Sequence, residues 1–220
     1  MIILFLGTPA AGKGTQSKML QELLGLPLIV TGDLLRAAIS KRDELGLQAQ
    51  QWLEQGKLVP DSLVIQIIMK KLQEPICKEK GFMLDGFPRT LEQAITFDKF
   101  LKEQNYKLDY VLYYNLPEQV AIDRIAGRRI CSQCGTVFHL KNMPPAQENI
   151  CDHCHGSLIQ RRDDTEEVMK ERWQAYHEKT FPLVQYYSQQ GILLEINADR
   201  SIQDIFTDTV QKMHLDKDKK

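Results

Sequence analysis

Two stretches of the chain carry residue types at spacings that do chemistry. In the first, Gly7 to Thr15 (GTPAAGKGT), glycines lead up to a lysine directly after a short apolar run. Glycines let backbone N–H groups converge on phosphate oxygens at the start of a helix, whose dipole favours anions. Lys13 then stands where an ammonium reaches the β- and γ-phosphates of a nucleotide, with Ala10, Ala11, Gly12, Gly14 and Thr15 forming the cradle around it. The general motif has Ser or Thr directly after the lysine; here Gly14 intervenes and Thr15 follows.

The second stretch is Cys131-x2-Cys134, then sixteen residues, then Cys151-x2-Cys154. Each pair is a tight turn presenting two thiolates, and two such turns close a tetrahedron around a metal. Four protein ligands leave no position for substrate or water, so the expected metal is structural: Zn2+ by default, with iron the alternative at an all-thiolate site. His139, His153 and His155 are near enough to compete for a ligand position. The complete cysteine set argues against a swap, and a disulfide pairing is the remaining competitor.

These groups need elements to hold them. Short apolar runs recur at residues 2–6, 28–30, 82–85, 110–115 and 192–196, separated by segments with helical spacing. Near-continuous apolarity marks strands buried on both faces, and their alternation with helices predicts a parallel five-stranded sheet flanked by helices, an α/β architecture. Two intervals exceed what a crossover needs, one between 30 and 82 and one holding the cysteines between helices at 118–128 and 165–190. Both read as insertions. Asp164 with Glu167 three residues on predicts the start of the second of these helices, and Pro182 predicts a kink in it. Asp85, closing the run FMLD, falls at the carboxyl end of a strand, where sheet enzymes keep their ligands. A carboxylate there is suited to orient the hydration shell of Mg2+. Arg124 and Arg128, four apart, share one face of a helix.

With 28 basic and 29 acidic residues among 220, no global field draws nucleic acid or an anionic membrane. No apolar stretch approaches the length that spans a bilayer, and the opening MIILFLG runs into a glycine turn rather than a cleavage site. Two close cysteine pairs plus the lone Cys77 suit a reducing compartment, so a cytoplasmic protein is expected.

The cradle occurs in order with TGDLLR (31–36), GKLVP (56–60), DGFPRT (85–90), RIAGRR (124–129) and RRDD (161–164). Over residues 1–210 this set resembles the adenylate kinases of the long-lid bacterial type with a metal-binding lid. The resemblance implies a P-loop core at 1–29, 60–126 and 164–220, a flap for the acceptor monophosphate at 30–59, and a zinc-ribbon lid at 127–163. It implies reversible, Mg2+-dependent phosphoryl transfer from ATP to AMP giving two ADP, by a monomer that closes its lid without nucleic-acid or membrane partners.

By the same resemblance Arg36 and Arg89 hold the acceptor phosphate. Arg124 and Arg128 approach the donor phosphates, joined by Arg161 and Arg172. Thr31, Gln93, the backbone of Lys57, Leu58 and Val59, and the turn Gly86, Phe87 and Pro88 meet the acceptor nucleotide. Val137, Phe138 and Arg200 line the donor, and Asp163 and Asp164 serve the Mg2+ waters and the lid. Arginines suit this work because guanidinium binds phosphate bidentately and stays charged. One position departs from the family, which has glycine where this chain has Ala10; if that residue takes a positive φ, Ala10 is strained. Competing readings are another nucleoside monophosphate kinase with a pyrimidine or guanine acceptor, and a zinc-ribbon nucleic-acid binder. The latter leaves DGFPRT and the cradle unexplained.

Overall fold

A computed structural model of the chain describes residues 1–41, 44–54, 59–160 and 164–215. The five apolar runs form β1 (Ile2–Gly7), β2 (Leu28–Val30), β3 (Phe82–Asp85), β4 (Tyr110–Asn115) and, last in the chain, β8 (Leu193–Asn197). All pair in parallel, in the order β2-β3-β1-β4-β8. Alternate residues of β1 feed two cores. Ile2, Leu4 and Leu6 face one side, where they meet α4 (Asp61–Leu72), α6 (Leu91–Glu103) and α9 (Pro182–Gln189). Ile3 and Phe5 face the other, with α1 (Lys13–Leu24), α7 (Glu118–Ala126) and α10 (Ile202–Lys212). At roughly 1.5–3 kcal/mol for each large apolar side chain buried, the helices are fixed on both faces. In open sheets of this kind ligands bind outside the carboxyl ends of the strands.

The first insertion carries α2 (Thr31–Lys41) and α3 (Glu44–Glu54), after which the chain returns through α4 and α5 (Pro75–Lys80). Gly46 allows α3 to press on α2, since a Cβ there would lie 2.1 Å from the carbonyl oxygen of Ala38. The second insertion is a separate antiparallel sheet in the order β6-β5-β7, made of β5 (Arg128–Cys131), β6 (Val137–His139) and β7 (Leu158–Ile159). Its small core is Cys131, Phe138, Cys151 and Leu158.

Two sequence expectations on the returning helix are corrected. Its cap is Thr165, whose Oγ1 accepts from the N–H of Val168 at 3.3 Å, and not Asp164, whose carboxylate goes to Arg128. The continuous helix expected over 165–190 is divided into α8 (Glu166–Ala175), a π turn at Tyr176–Thr180, and α9. Pro182 opens α9 as its first residue, where its missing N–H costs nothing. The wider turn ends with the N–H of Phe181 donating to the carbonyl of Tyr176 at 2.8 Å.

Candidate active site

The cradle leaves β1 at Gly7. An added Cβ there would lie 2.4 Å from the carbonyl of Tyr114 in the neighbouring strand, so only glycine lets β1 and β4 stay paired up to the turn. Ala10 has φ 60°, the left-handed conformation that glycine adopts without cost and alanine does not. Gly12, at φ 82°, precedes α1, and Lys13 is its first residue. The ammonium of Lys13 donates to the carbonyls of Gly7 at 2.8 Å and Thr8 at 2.9 Å. Burial pulls it down to about 8, opposed by the attraction of Asp85 and reinforced by repulsion from Arg89. Thr8 is buried, and its Oγ1 is without a hydrogen-bond partner.

Asp85 closes β3 opposite Phe5, with 8% of its surface exposed. A Cβ on Gly14 would stand 3.8 Å from Asp85 Oδ2, so the carboxylate borders the cradle. Burial raises its pKa, and Lys13 and Arg89 work against that rise. Lys13, Asp85 and Arg89, separate in sequence, thus form one electrostatic group.

The turn after β3 shapes the other half of the crevice. Gly86 has φ 84°, and the Phe87–Pro88 peptide is cis. Phe87 is buried edge-on against Phe97, 5.6 Å between ring centres, anchoring the turn in the core. Arg89 remains exposed, its Nε donating to the carbonyl of Gly86 at 2.9 Å. Thr31 is buried and donates to the carbonyl of Asp85 at 3.2 Å, and Val59 is buried nearby in the same core cluster as Phe87. Arg36 pairs with Asp33 in the exposed first turn of α2. Lys57, Leu58, Arg161 and Asp163 lie outside the described residues.

On the donor side, Arg124 Nη2 donates to the carbonyl of Ala198 at 2.8 Å, and Arg200 Nη2 to Asp208 at 2.6 Å. Arg128 opens β5 rather than ending the stem helix, because α7 stops at Ala126. Its Nε and Nη2 grip the two carboxylate oxygens of Asp164. Arg172, on α8, is close enough to Arg89 for their charges to repel. Val137 is half-buried, whereas Phe138 is 4% exposed, packed inside the insertion's core.

The four cysteines are unbridged, and their sulfurs lie within 4.8 Å of one another. Cys131 and Cys154 are 3.3 Å apart, and Cys134 and Cys151 3.6 Å, near the edge of about 3.8 Å for a tetrahedron with 2.3 Å zinc–sulfur bonds. The N–H groups of Gln133 and Cys134 point at Cys131 Sγ, at 3.4 and 3.5 Å, as suits a thiolate acceptor. Among the described residues no histidine joins this group. The donor set therefore fits Zn2+. His139 instead accepts on Nδ1 from the N–H groups of Lys141 and Asn142, both at 3.1 Å.

Sequence reasoning missed residues that act on this turn from afar. Thr180, in the π turn, donates to the carbonyl of Arg89 at 2.9 Å. Asp61, the first residue of α4, receives hydrogen bonds from Thr90 and Gln93. The only signal was that Asp61 directly follows GKLVP, and an acid at a helix start reads first as a dipole partner. No helix among the described residues is long and apolar enough to cross a membrane.

Lys13, Asp85, Arg89 and Arg172 are near enough for their charges to act on one another beside the glycine turn. A family model described as adenylate kinase matches residues 5–192. An adenylate kinase of Archaeoglobus fulgidus is 48% identical over 206 residues, covering 94% of each chain. One of Clostridium botulinum is 45% identical over 206 residues, covering 94% of this chain and 95% of its own. One of Thermotoga petrophila is 42% identical over 210 residues, covering 95% of each. Because the match runs from the glycine turn through both cysteine pairs to the turn before β8, one family accounts for both motifs, and the chain belongs to the adenylate kinase family.

Proposed function

We propose that the protein transfers the γ-phosphoryl group of ATP reversibly to AMP, giving two molecules of ADP, with Mg2+ as the companion of the donor. The observation that carries this reading is the convergence of Lys13, Asp85 and Arg89 at the carboxyl ends of β1 and β3 in a chain of this family. Such a reaction asks the protein for little covalent chemistry. It requires two charged nucleotides in line, water excluded, and positive groups where charge spreads in the transition state.

Lys13 and the cradle N–H groups would hold the β- and γ-phosphates, Arg36 and Arg89 the acceptor phosphate, and Arg124, Arg128, Arg161 and Arg172 the migrating group. Thr31, Gln93 and the backbone of 57–59 would meet the acceptor base; Val137, Phe138 and Arg200 would meet the donor. Asp85, a buried carboxylate beside the cradle, fits Mg2+, which keeps most of its waters; bound there the ion would neutralise phosphate charge. Residues 30–59 and 127–163 would move as flap and lid over a core made of the rest. Zn2+ on the four cysteines would hold the lid rigid, since so short an insertion assembles little core. Balanced charge and unbridged cysteines support a cytoplasmic monomer.

The test is a coupled assay for ADP from ATP with AMP, GMP, CMP or UMP. Turnover highest with AMP is expected. Preference for another acceptor would make the protein a different nucleoside monophosphate kinase, and no turnover with any acceptor would overturn the reading.

A further inference from the structure

Gln93 is 3% exposed, on the first turn of α6, and its carboxamide is held at both ends. Its Oε1 accepts from the backbone N–H of Arg89 at 2.7 Å, and its Nε2 donates to Asp61 Oδ1 at 2.8 Å. The other oxygen of Asp61 accepts from Thr90 Oγ1 at 2.5 Å, and Thr90 Oγ1 in turn accepts from the N–H of Gln93 at 3.2 Å as the cap of α6. Asp61, Thr90 and Gln93 therefore close a ring of three hydrogen bonds that joins the start of α4 to the start of α6.

The chemistry of the two partners fixes the amide's direction. A backbone N–H only donates and a carboxylate only accepts, so turning the amide over would set two donors against each other and two acceptors against each other. Each end of Gln93 keeps one unused capacity: a lone pair on Oε1 and a hydrogen on Nε2. An acceptor and a donor in fixed order match the N6 amino group and N1 of adenine. A 6-oxopurine presents the reverse, an oxygen at C6 and a hydrogen on N1, and would need the amide turned over.

We infer that Asp61 is a specificity-determining positioning residue: through Gln93 it commits the acceptor site to a 6-aminopurine and against 6-oxopurine monophosphates. This rests on the acceptor-base role proposed for Gln93. Asp61 need not touch the nucleotide; it sets which end of Gln93 offers the hydrogen.

The experiment uses the full chain, with AMP and IMP as acceptors at saturating ATP. For Asp61→Ala the ratio of kcat/KM for AMP over IMP should fall about tenfold, the worth of one hydrogen bond, while KM for ATP holds within about twofold. In a Gln93→Ala background the same substitution should leave the ratio unchanged, although any loss of melting temperature persists. Should Asp61→Ala fail to fold, Asp61→Asn keeps the volume but adds a donor, and a smaller fall in the ratio is expected. An unaltered ratio in the folded variant, or an equal fall with and without Gln93, overturns the inference. Failure of the wild type to use AMP at all would instead count against the functional reading.

Discussion

Arg128 and Asp164 bind side-on, two guanidinium nitrogens to two carboxylate oxygens, with the Asp164 side chain wholly buried and that of Arg128 21% exposed. The pair ties the first strand of the cysteine-bearing insertion to the residue that precedes the cap of α8. Removing Asp164 leaves a partly desolvated cation without its partner, so Asp164→Ala should cost about 2–3 kcal/mol in urea unfolding. In an Arg128→Ala background the same change should cost much less. Additive losses in this double-mutant cycle would show that the pair is not coupled.

Lys13 gives the free protein a pH signature. Burial lowers its ammonium to about 8, so the charge is present below that pH and is lost as pH rises through it. A bound polyphosphate raises the value again. The ratio kcat/KM for ATP, which reports the free enzyme, should therefore fall on the alkaline side near pH 8, while kcat at saturation holds to higher pH. A profile of kcat/KM flat to pH 10 would remove Lys13 from the donor site.

Arg89 is exposed, and its guanidinium is held by the carbonyl of Gly86 in its own turn. Arg89→Ala should therefore leave melting within a few degrees of wild type and cut kcat by about 100-fold or more, as loss of a charge-stabilising group does. Wild-type kcat/KM for both nucleotides in the folded variant would refute its role.

How much of this was open to reading from the residues depends on the distance over which each signal acts. β1, β3 and β4 are buried on both faces, and uninterrupted apolarity announces such strands. The cradle and the cysteine pairs are local spacings and were equally plain. Asp164 misled because a short acid before a helix looks like a cap, and its true partner lies 36 residues back. Asp61 meets Gln93 across 32 residues, a contact set by the packing of α4 on α6 and not by any period.

The clip separates stability from chemistry. About one Zn2+ per chain is expected, by the four-ligand count of a closed site. Cys154→Ser, or chelation that strips the metal, should lower the melting temperature and quicken hydrogen exchange in 128–159 while turnover persists at moderate temperature, because Lys13 and Arg89 lie outside the insertion. Turnover that vanishes with melting unchanged would make the metal catalytic.

Ala10 offers a stabilising change. Its φ of 60° carries a cost that glycine escapes, partly offset by glycine's greater freedom when unfolded. Ala10→Gly should raise stability by about 0.5 kcal/mol, measured by thermal unfolding, with kcat/KM changed less than about twofold. A loss of stability would mean that the alanine methyl contributes packing worth more than the strain.

Lys13, Arg36, Arg124 and Arg128 all contact carbonyls or carboxylates of the chain itself, so under the proposed function a nucleotide would have to compete with the protein's own oxygens. A small anion that reaches one of these groups trades one oxygen for another and gains little. A nucleotide brings several phosphate oxygens on a single scaffold and would displace the internal partners together, at one loss of translational freedom. Under the proposed function such a site would filter by valency, indifferent to chloride or free phosphate in the surrounding salt and open to a chain of phosphates.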